Sequence, residues 1–384
     1  MEFKLTEEQL MIRQAARDFA NNECLPGVIE RDEHQKFPKE QVMKLAESGF
    51  MGMMISPDYG GSGLDTISYV LAMEEISKVD ASTSVCMSVN NSLVCYGIEA
   101  FGTEVQKIKY LTPLAQGKKD GELYIGAFLL SEPEAGSDAT SQRTIAVEKE
   151  DHYVINGVKN WITNGNSASC YLVFAQTDIS KGSRGINVFI VEKNSPGITV
   201  GSKENKLGIR GSDTHSISFT DVKVPKENQI GKDGFGFKFA MMTLSGGRIG
   251  IASQALGLAS GAMERSIAYS KERKAFGTEI KNHQIIQFKI ADMATRVEAA
   301  RLLCFRAAWQ KDKGEDYTES AAMAKVYASE TAMWVTTEAV QIHGGYGYVK
   351  EYHVERMMRD AKITQIYEGT SEVQRIVISR GILK

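Results

Sequence analysis

Cysteine and proline are scarce in this 384-residue chain, and neither sign of charge dominates it. The five cysteines (Cys24, Cys86, Cys95, Cys170, Cys304) stand far apart and form no C-x-x-C. That excludes a zinc knuckle or a thioredoxin-like pair and leaves buried thiols of a reducing compartment. A net charge of -3 provides no basic field, so nucleic acid is not an expected partner. No apolar run approaches the roughly 18–20 residues that span a bilayer, so no membrane insertion is expected. Met1-Glu2-Phe3-Lys4 leads directly into a polar helical pattern without a signal-peptide core, which reads as a cytoplasmic chain. There is no G-x-x-x-x-G-K-[ST], no G-x-G-x-x-G between a strand and a helix, and no G-x-S-x-G elbow. None of the six histidines follows a Glu by three residues, the spacing of a di-iron bundle, and no metal site is expected.

What is present is ordinary globular composition, 42% hydrophobic and 24% charged. The length exceeds the roughly 250–300 residues at which one core stops growing, so two or three packed units are expected. Thr6-Glu7-Glu8-Gln9 has the pattern of a capping start, and Leu10, Ile12, Ala15, Ala16 and Phe19 follow at helical spacing. Further helical patterns cover 39–48, 67–78, 84–96 and 104–111. Near Gly121 the period changes to two, and short strands alternate with Asn156-Gly157, Asn164-Gly165, Lys181-Gly182-Ser183 and Ser195-Pro196-Gly197, all read as turns. The polar stretch 117–123 reads as a loop insertion at the first strand. Beyond Pro225 no proline occurs, which favours long helices over 247–274, 284–313 and 318–342 and a shorter one over 371–383. The spacing therefore predicts an α+β multidomain fold. Its parts are an N-terminal all-α domain (1–120), a central antiparallel β-barrel or sandwich (121–228) and a C-terminal four-helix bundle (229–384).

Five polar loops carry what chemistry the chain offers, and each has a plainer reading. Ser131-Glu132-Pro133-Glu134-Ala135-Gly136-Ser137-Asp138 follows a strand, and its hydroxyls and N–H groups suit a phosphate or polar cofactor, or simply a turn. In Trp161-Ile162-Thr163-Asn164-Gly165, Trp161 offers a flat face and Thr163 a hydroxyl to an aromatic cofactor, or Trp161 belongs to the core. Arg273-Lys274-Ala275-Phe276-Gly277 ends a long helix, where Arg273 caps carbonyls or clamps a pyrophosphate. The paired glycines of Gln341-Ile342-His343-Gly344-Gly345-Tyr346-Gly347 permit close approach of another chain or a ligand. In Ile366-Tyr367-Glu368-Gly369-Thr370-Ser371, Thr370 suits the cap of a final helix, and Glu368 is an isolated loop carboxylate.

Taken together and in order, S-E-P-E-A-G-S-D, W-I-T-N, R-K-A-F-G, Q-I-H-G-G-Y-G and I-Y-E-G-T resemble the acyl-CoA dehydrogenase family over nearly the whole chain, its short-chain, butyryl-CoA-type members above all. The resemblance implies FAD between the β domain and the C-terminal bundle. Phe128, Leu130, Ser131, Ser137, Trp161, Ile162 and Thr163 would hold the flavin, with Trp161 against the ring and Thr163 near its N5 edge. Arg273, Phe276, Gln284, Gln341, Gly344 and Gly345 would reach the FAD of a neighbouring subunit, which implies a homotetramer built as a dimer of dimers. Thr370 and Glu372 would complete the cofactor site.

Glu368 is implied as the base that removes the α-proton of an acyl thioester while the β-hydrogen leaves as hydride to flavin N5, giving a trans-2-enoyl-CoA. Ser137, Ser245, Arg248, Tyr367 and Gly369 would contact the acyl-CoA, and an electron-transfer flavoprotein would take the electrons. Such chemistry asks for a desolvated carboxylate of raised pKa and for hydrogen bonds to the thioester oxygen. The implied donors are the Glu368 N–H and a ribityl hydroxyl. Relatives that place the base on the long helix use the slot before its Arg; here that slot is Gly247 before Arg248. Ser245 stands where relatives commonly carry an Asp that helps bind CoA. The same fold acting as an oxidase or an enoyl-CoA reductase, or as a silent acyl-CoA-binding module, is the alternative.

Overall fold

The first helix, α1 (Glu7–Phe19), starts as its spacing predicts: Thr6 Oγ1 accepts the Gln9 N–H at 3.1 Å, and Gln9 Oε1 accepts the Thr6 N–H at 3.0 Å. The structure, a computed structural model, describes residues 4–383, so Met1-Glu2-Phe3 of the expected opening lies outside the described residues. After α1 and a π turn come α2 (Val28–Glu33), α3 (Lys39–Glu47) and α4 (Thr66–Ser77). Nearly every residue of α4 is buried, including Glu74 and Glu75, which pair with Arg301 and Arg17. Next, α5 (Ala81–Ser88) and α6 (Tyr96–Phe101) are one helix interrupted by a π-helical stretch, Val89–Cys95. That stretch turns two fully buried amides outward. Asn90 Nδ2 donates to the Met51 and Leu114 carbonyls, each at 2.8 Å, and its Oδ1 accepts the Gly126 N–H at 2.9 Å. Asn91 accepts the Met53 N–H at 2.7 Å and donates to the Phe50 carbonyl at 2.8 Å. The short α7 (Glu104–Gln106) and α8 (Thr112–Gln116), joined by a further π turn, complete the helical N-terminal part.

The stretch 117–123 is no loose loop. It forms a hairpin, β1 (Lys118–Lys119) on β2 (Glu122–Leu123), whose turn residues Asp120 and Gly121 have φ of 52° and 80°, the conformation that a two-residue hairpin turn demands. The main sheet contains β3 (Gly126–Leu129), β4 (Ile145–Glu148), β5 (His152–Thr163), β6 (Cys170–Gln176), β7 (Ile186–Glu192), β8 (Ile198–Lys203) and β9 (Thr214–Pro225). It is mixed rather than wholly antiparallel, because β6 pairs parallel to both β3 and β4. β6 lies between β3 and β4, so the two strands consecutive in the chain are not neighbours in the sheet. Asn156-Gly157 is likewise a bulge inside β5, not a turn. A Cβ on Gly157 would meet Thr144 Cα at 2.7 Å, so this dipeptide marks close approach of β4.

β6 is buried on both faces. Leu172 and Phe174 join the helical core, where Phe174 lies 5.9 Å from Phe239, while Tyr171, Val173 and Ala175 fill the inside of the curled sheet. The helical C-terminal part comprises α9 (Gly236–Glu272), a hairpin of β10 (Lys274–Ala275) and β11 (Thr278–Glu279), α10 (Gln284–Asp312), α11 (Thr318–His343), α12 (Val354–Ile363) and α13 (Ser371–Ile382). α9 begins well before residue 247, where the spacing places it. Leu244-Ser245-Gly246-Gly247 lies inside the helix. Half of α12 is charged, which hides it from a reading by apolar spacing. α4 of the N-terminal part packs on α9, so the first helical set and the bundle share one core with the outer face of β6 and β7.

Candidate active site

Glu368 lies in the loop between α12 and α13, with φ of 52°, followed by Gly369 at 91°. A carboxylate residue in the left-handed region is uncommon and is sustained only where its surroundings hold it. Its carboxyl turns towards α9: a Cβ on Gly247 would overlap Glu368 Oε2 and would stand 2.7 Å from Leu93 Cδ2. Glycine inside α9 is therefore the condition for the carboxyl to sit there. Oε2 is buried and accepts no hydrogen bond. Burial pushes the carboxyl up to about 7, against the pull of the Lys325 and Arg248 cations.

The neighbours of Glu368 come from α9, α11 and α13 and from its own loop. Arg248 on α9 is buried, and its guanidinium donates to Ser245 Oγ at 3.3 Å, while Ser245 Oγ donates to the Met241 carbonyl at 3.1 Å. The hydroxyl at 245 is thus committed to Arg248 and its own helix. Tyr367 hydrogen-bonds through its hydroxyl to Gln254 Oε1, and Gln254 Nε2 donates to the Ala81 carbonyl at 2.9 Å. Behind the loop, Lys325 on α11 donates to the Gly369 carbonyl at 2.6 Å. Gln374 on α13 donates to the carbonyls of Glu368 at 3.2 Å and Gly369 at 2.8 Å. Thr370 caps α13, its hydroxyl accepting the Val373 N–H at 3.3 Å, as its position predicts. Glu372, exposed in the first turn of that helix, is held below the usual carboxylate range by backbone N–H and Thr370 hydrogen bonds.

The residues expected to hold a flavin form a second group, on the sheet. Phe128 is half-buried and lies 4.7 Å from the Phe174 ring; Leu130 and Ile162 are buried. Trp161 is no core residue. It sits at an irregularity of β5 with φ of 62° and is 59% exposed, its ring turned out from the strand. The hydroxyls of Ser131 and Thr163 have no hydrogen-bond partner among the described residues. An exposed indole face beside unspent hydroxyls suits a flat, apolar ring with a polar edge, so these residues fit FAD. Ser137 is exposed further along the same loop. The loop is anchored from below by fully buried Lys159, which donates to Glu132 at 2.8 Å, to the Leu130 carbonyl at 3.1 Å and to Gln142 at 3.1 Å. Glu132 in turn accepts the backbone N–H groups of Arg143 and Thr144 at 2.5 and 2.9 Å.

A third group gathers far along the bundle. The Arg273 guanidinium lies over the Tyr346 ring at 5.4 Å, and Phe276 at the β10–β11 tip has φ of 53° and is 96% exposed. Gln284 opens α10 next to His283, which lies edge-on to Phe276; Gln341 ends α11 exposed; Gly344 and Gly345 face open space. At about 1.5 Å per residue, α9 carries Arg273 roughly 40 Å from Arg248. These residues and Glu368 belong to separate places on one chain. Lys325, Gln254, Gln374 and Lys159 carry no motif in the sequence, and only their burial in the fold marks them.

A helical part, a curled sheet and a helical bundle, with one desolvated carboxyl aimed across the bundle's longest helix, define a class of oxidoreductase, and comparison with known proteins gives its family. Models of the N-terminal, middle and C-terminal domains of acyl-CoA dehydrogenase match residues 6–118, 127–222 and 234–383. The chain belongs to the acyl-CoA dehydrogenase family, whose members are FAD-dependent enzymes. It is 53% identical over 384 residues to a short-chain-specific acyl-CoA dehydrogenase of Clostridium acetobutylicum, covering 100% of both chains. The short-chain-specific acyl-CoA dehydrogenase of Megasphaera elsdenii is 50% identical over 388 residues, again with 100% of both covered. The solved butyryl-CoA dehydrogenase of Megasphaera elsdenii superposes with a TM-score of 0.97 at 50% identity over 100% of each chain. A chain from a structure described as the electron transferring flavoprotein of Acidaminococcus fermentans, studied for flavin-based electron bifurcation, matches with a TM-score of 0.98, at 53% identity over 100% of each chain.

Proposed function

We propose that this chain is a short-chain acyl-CoA dehydrogenase in which Glu368 removes the α-proton of a butyryl-like thioester. The observation that carries the reading is the Glu368 carboxyl, buried, unpartnered at Oε2 and raised to about 7. A carboxylate so raised is a stronger base than one in water and is still deprotonated in part at neutral pH. The Glu368 N–H, which bonds no carbonyl in its loop, is free to donate to the thioester oxygen as enolate charge develops. Arg248 and Lys325 bias the carboxyl towards the charged form needed to accept a proton. FAD, when bound, supplies the acceptor for the β-hydrogen; Trp161, Ile162, Thr163, Phe128, Leu130, Ser131 and Ser137 would hold it. Tyr367, hydrogen-bonded to Gln254, and buried Tyr69, hydrogen-bonded to Ser88, both interact with Glu368, and two bulky side chains beside the base suit a short acyl chain. The matches to short-chain-specific and butyryl-CoA dehydrogenases support the same length.

The group of Arg273, Phe276, Gln284, Gln341, Gly344 and Gly345 is assigned to the FAD of a neighbouring subunit, in a tetramer built as a dimer of dimers. Its distance from Glu368 and the bare Phe276 ring support this. An electron-transfer flavoprotein is assigned as the acceptor of the electrons. The test of the reaction is an anaerobic visible spectrum of the holoenzyme before and after adding butyryl-CoA. The wild type bleaches, whereas Glu368→Gln retains FAD and binds acyl-CoA but stays yellow. Bleaching of the variant at the wild-type rate would remove Glu368 from the mechanism.

A further inference from the structure

Lys325 is 0% exposed, and among the described residues the Gly369 carbonyl is its one hydrogen-bond acceptor and no carboxylate lies within ion-pair distance of its Nζ. Burial brings the Lys325 amine down to about 7 even with the Glu368 and Glu372 carboxyls nearby, and an apolar residue of similar shape would serve packing better. What the side chain does do is specific. Together with Gln374 it takes both carbonyls of the left-handed Glu368-Gly369 pair into the gap between α11 and α13. With those carbonyls tied on one side, the Glu368 side chain is directed to the other, where α9 has no Cβ at Gly247. Elsewhere around the carboxyl stand Arg248 from α9, Tyr69 from α4, Tyr367 within the loop and, further out on α13, Glu372, which interacts with Lys325. Of the two cations that favour the carboxylate, Lys325 acts more strongly than Arg248.

We infer that Lys325 is the positioning residue of the Glu368 loop, holding the Gly369 carbonyl so that the carboxyl is aimed across α9. The inference rests on the reading of Glu368 as the base. It is tested on the holoenzyme with Lys325→Met, which removes donor and charge, and Lys325→Gln, which keeps a donor without the charge. Two readouts are taken: anaerobic stopped-flow bleaching by butyryl-CoA on either side of neutral pH, and infrared titration of the Glu368 carboxyl, its band identified with Glu368→Gln. Lys325→Met is expected to lose on the order of 10²-fold in bleaching rate, the cost of misplacing a reacting group by about 1 Å. Its carboxyl should titrate higher, because a favourable charge is gone. Lys325→Gln should regain part of the rate and keep the upward titration.

Wild-type rate and wild-type titration in Lys325→Met would overturn the inference. So would a rate loss that follows only a lowered Tm, with the titration unmoved. Should Lys325→Met fail to fold, Lys325→Gln decides by the same two readouts. If butyryl-CoA fails to bleach the wild type, the proposed reaction falls, while the infrared titration still reports whether Lys325 governs the Glu368 carboxyl.

Discussion

Gly247→Ala is the sharpest perturbation of the arrangement, because it adds one methyl group at the point where α9 and Glu368 meet. Alanine is the better helix former by about 1 kcal/mol, so the helix itself does not suffer. The new Cβ overlaps Glu368 Oε2 and presses on Leu93 Cδ2 at 2.7 Å. To restore ordinary contact the carboxyl has to withdraw by roughly 1 Å, since non-bonded heavy atoms settle near 3.5 Å. A retreat of that size in a reacting group costs on the order of 10²-fold in rate. Leu93, in the π-helical stretch, can give way only against a packed core, so a modest drop in Tm is expected alongside. The assay is anaerobic stopped-flow bleaching with butyryl-CoA, with FAD content and thermal unfolding measured in parallel. The rate should fall while FAD content holds. A variant that keeps its FAD and bleaches at close to the wild-type rate would refute the claim that Gly247 makes room for the carboxyl.

The pH dependence follows from the same carboxyl. A base works deprotonated, and with its pKa raised to about 7, kcat/KM should fall by roughly tenfold per pH unit below that value and level off above it; a midpoint near the ordinary 4.5 would contradict the described burial. Lys159→Met breaks the buried pair with Glu132 beneath the loop that leads to Ser131 and Ser137. About 3 kcal/mol of stability should be lost, together with FAD retention, as read by thermal unfolding and the flavin absorbance after gel filtration.

The architecture was legible because its signals are local. Hairpin turns, the Thr6 and Thr370 caps and the absence of proline after Pro225 are each written in a few adjacent residues. The errors came where distant chain decides. Asn156-Gly157 has the composition of a turn, but β4 passes so close that the dipeptide becomes a bulge. The spacing starts the long helix at 247, yet it begins at Gly236, and the carboxyl of residue 368 explains the missing side chain at 247. Trp161 left core and surface both open, and only the positive φ turns it outward. Lys325 and Lys159 were invisible for the same reason: a lysine in a helix or strand reads as solvated, and nothing near it in the chain says otherwise.

The π-helical stretch at Val89–Cys95 acts as a phase shift in the helix that carries it. Residues before it face their neighbours in one angular setting, and residues after it face theirs in another. One residue spans about 100° of an α-helix. Wound as a plain α-helix, the same residues would turn every side chain beyond the stretch by about that angle. Leu93 would leave the side of Gly247, and Gly97 would no longer present its bare backbone to the Phe239 ring. Insertion of one residue elsewhere in α5 or α6 would do equal harm. In this helix, length is held to the single residue, while many of its side chains are free to vary among apolar types of similar size.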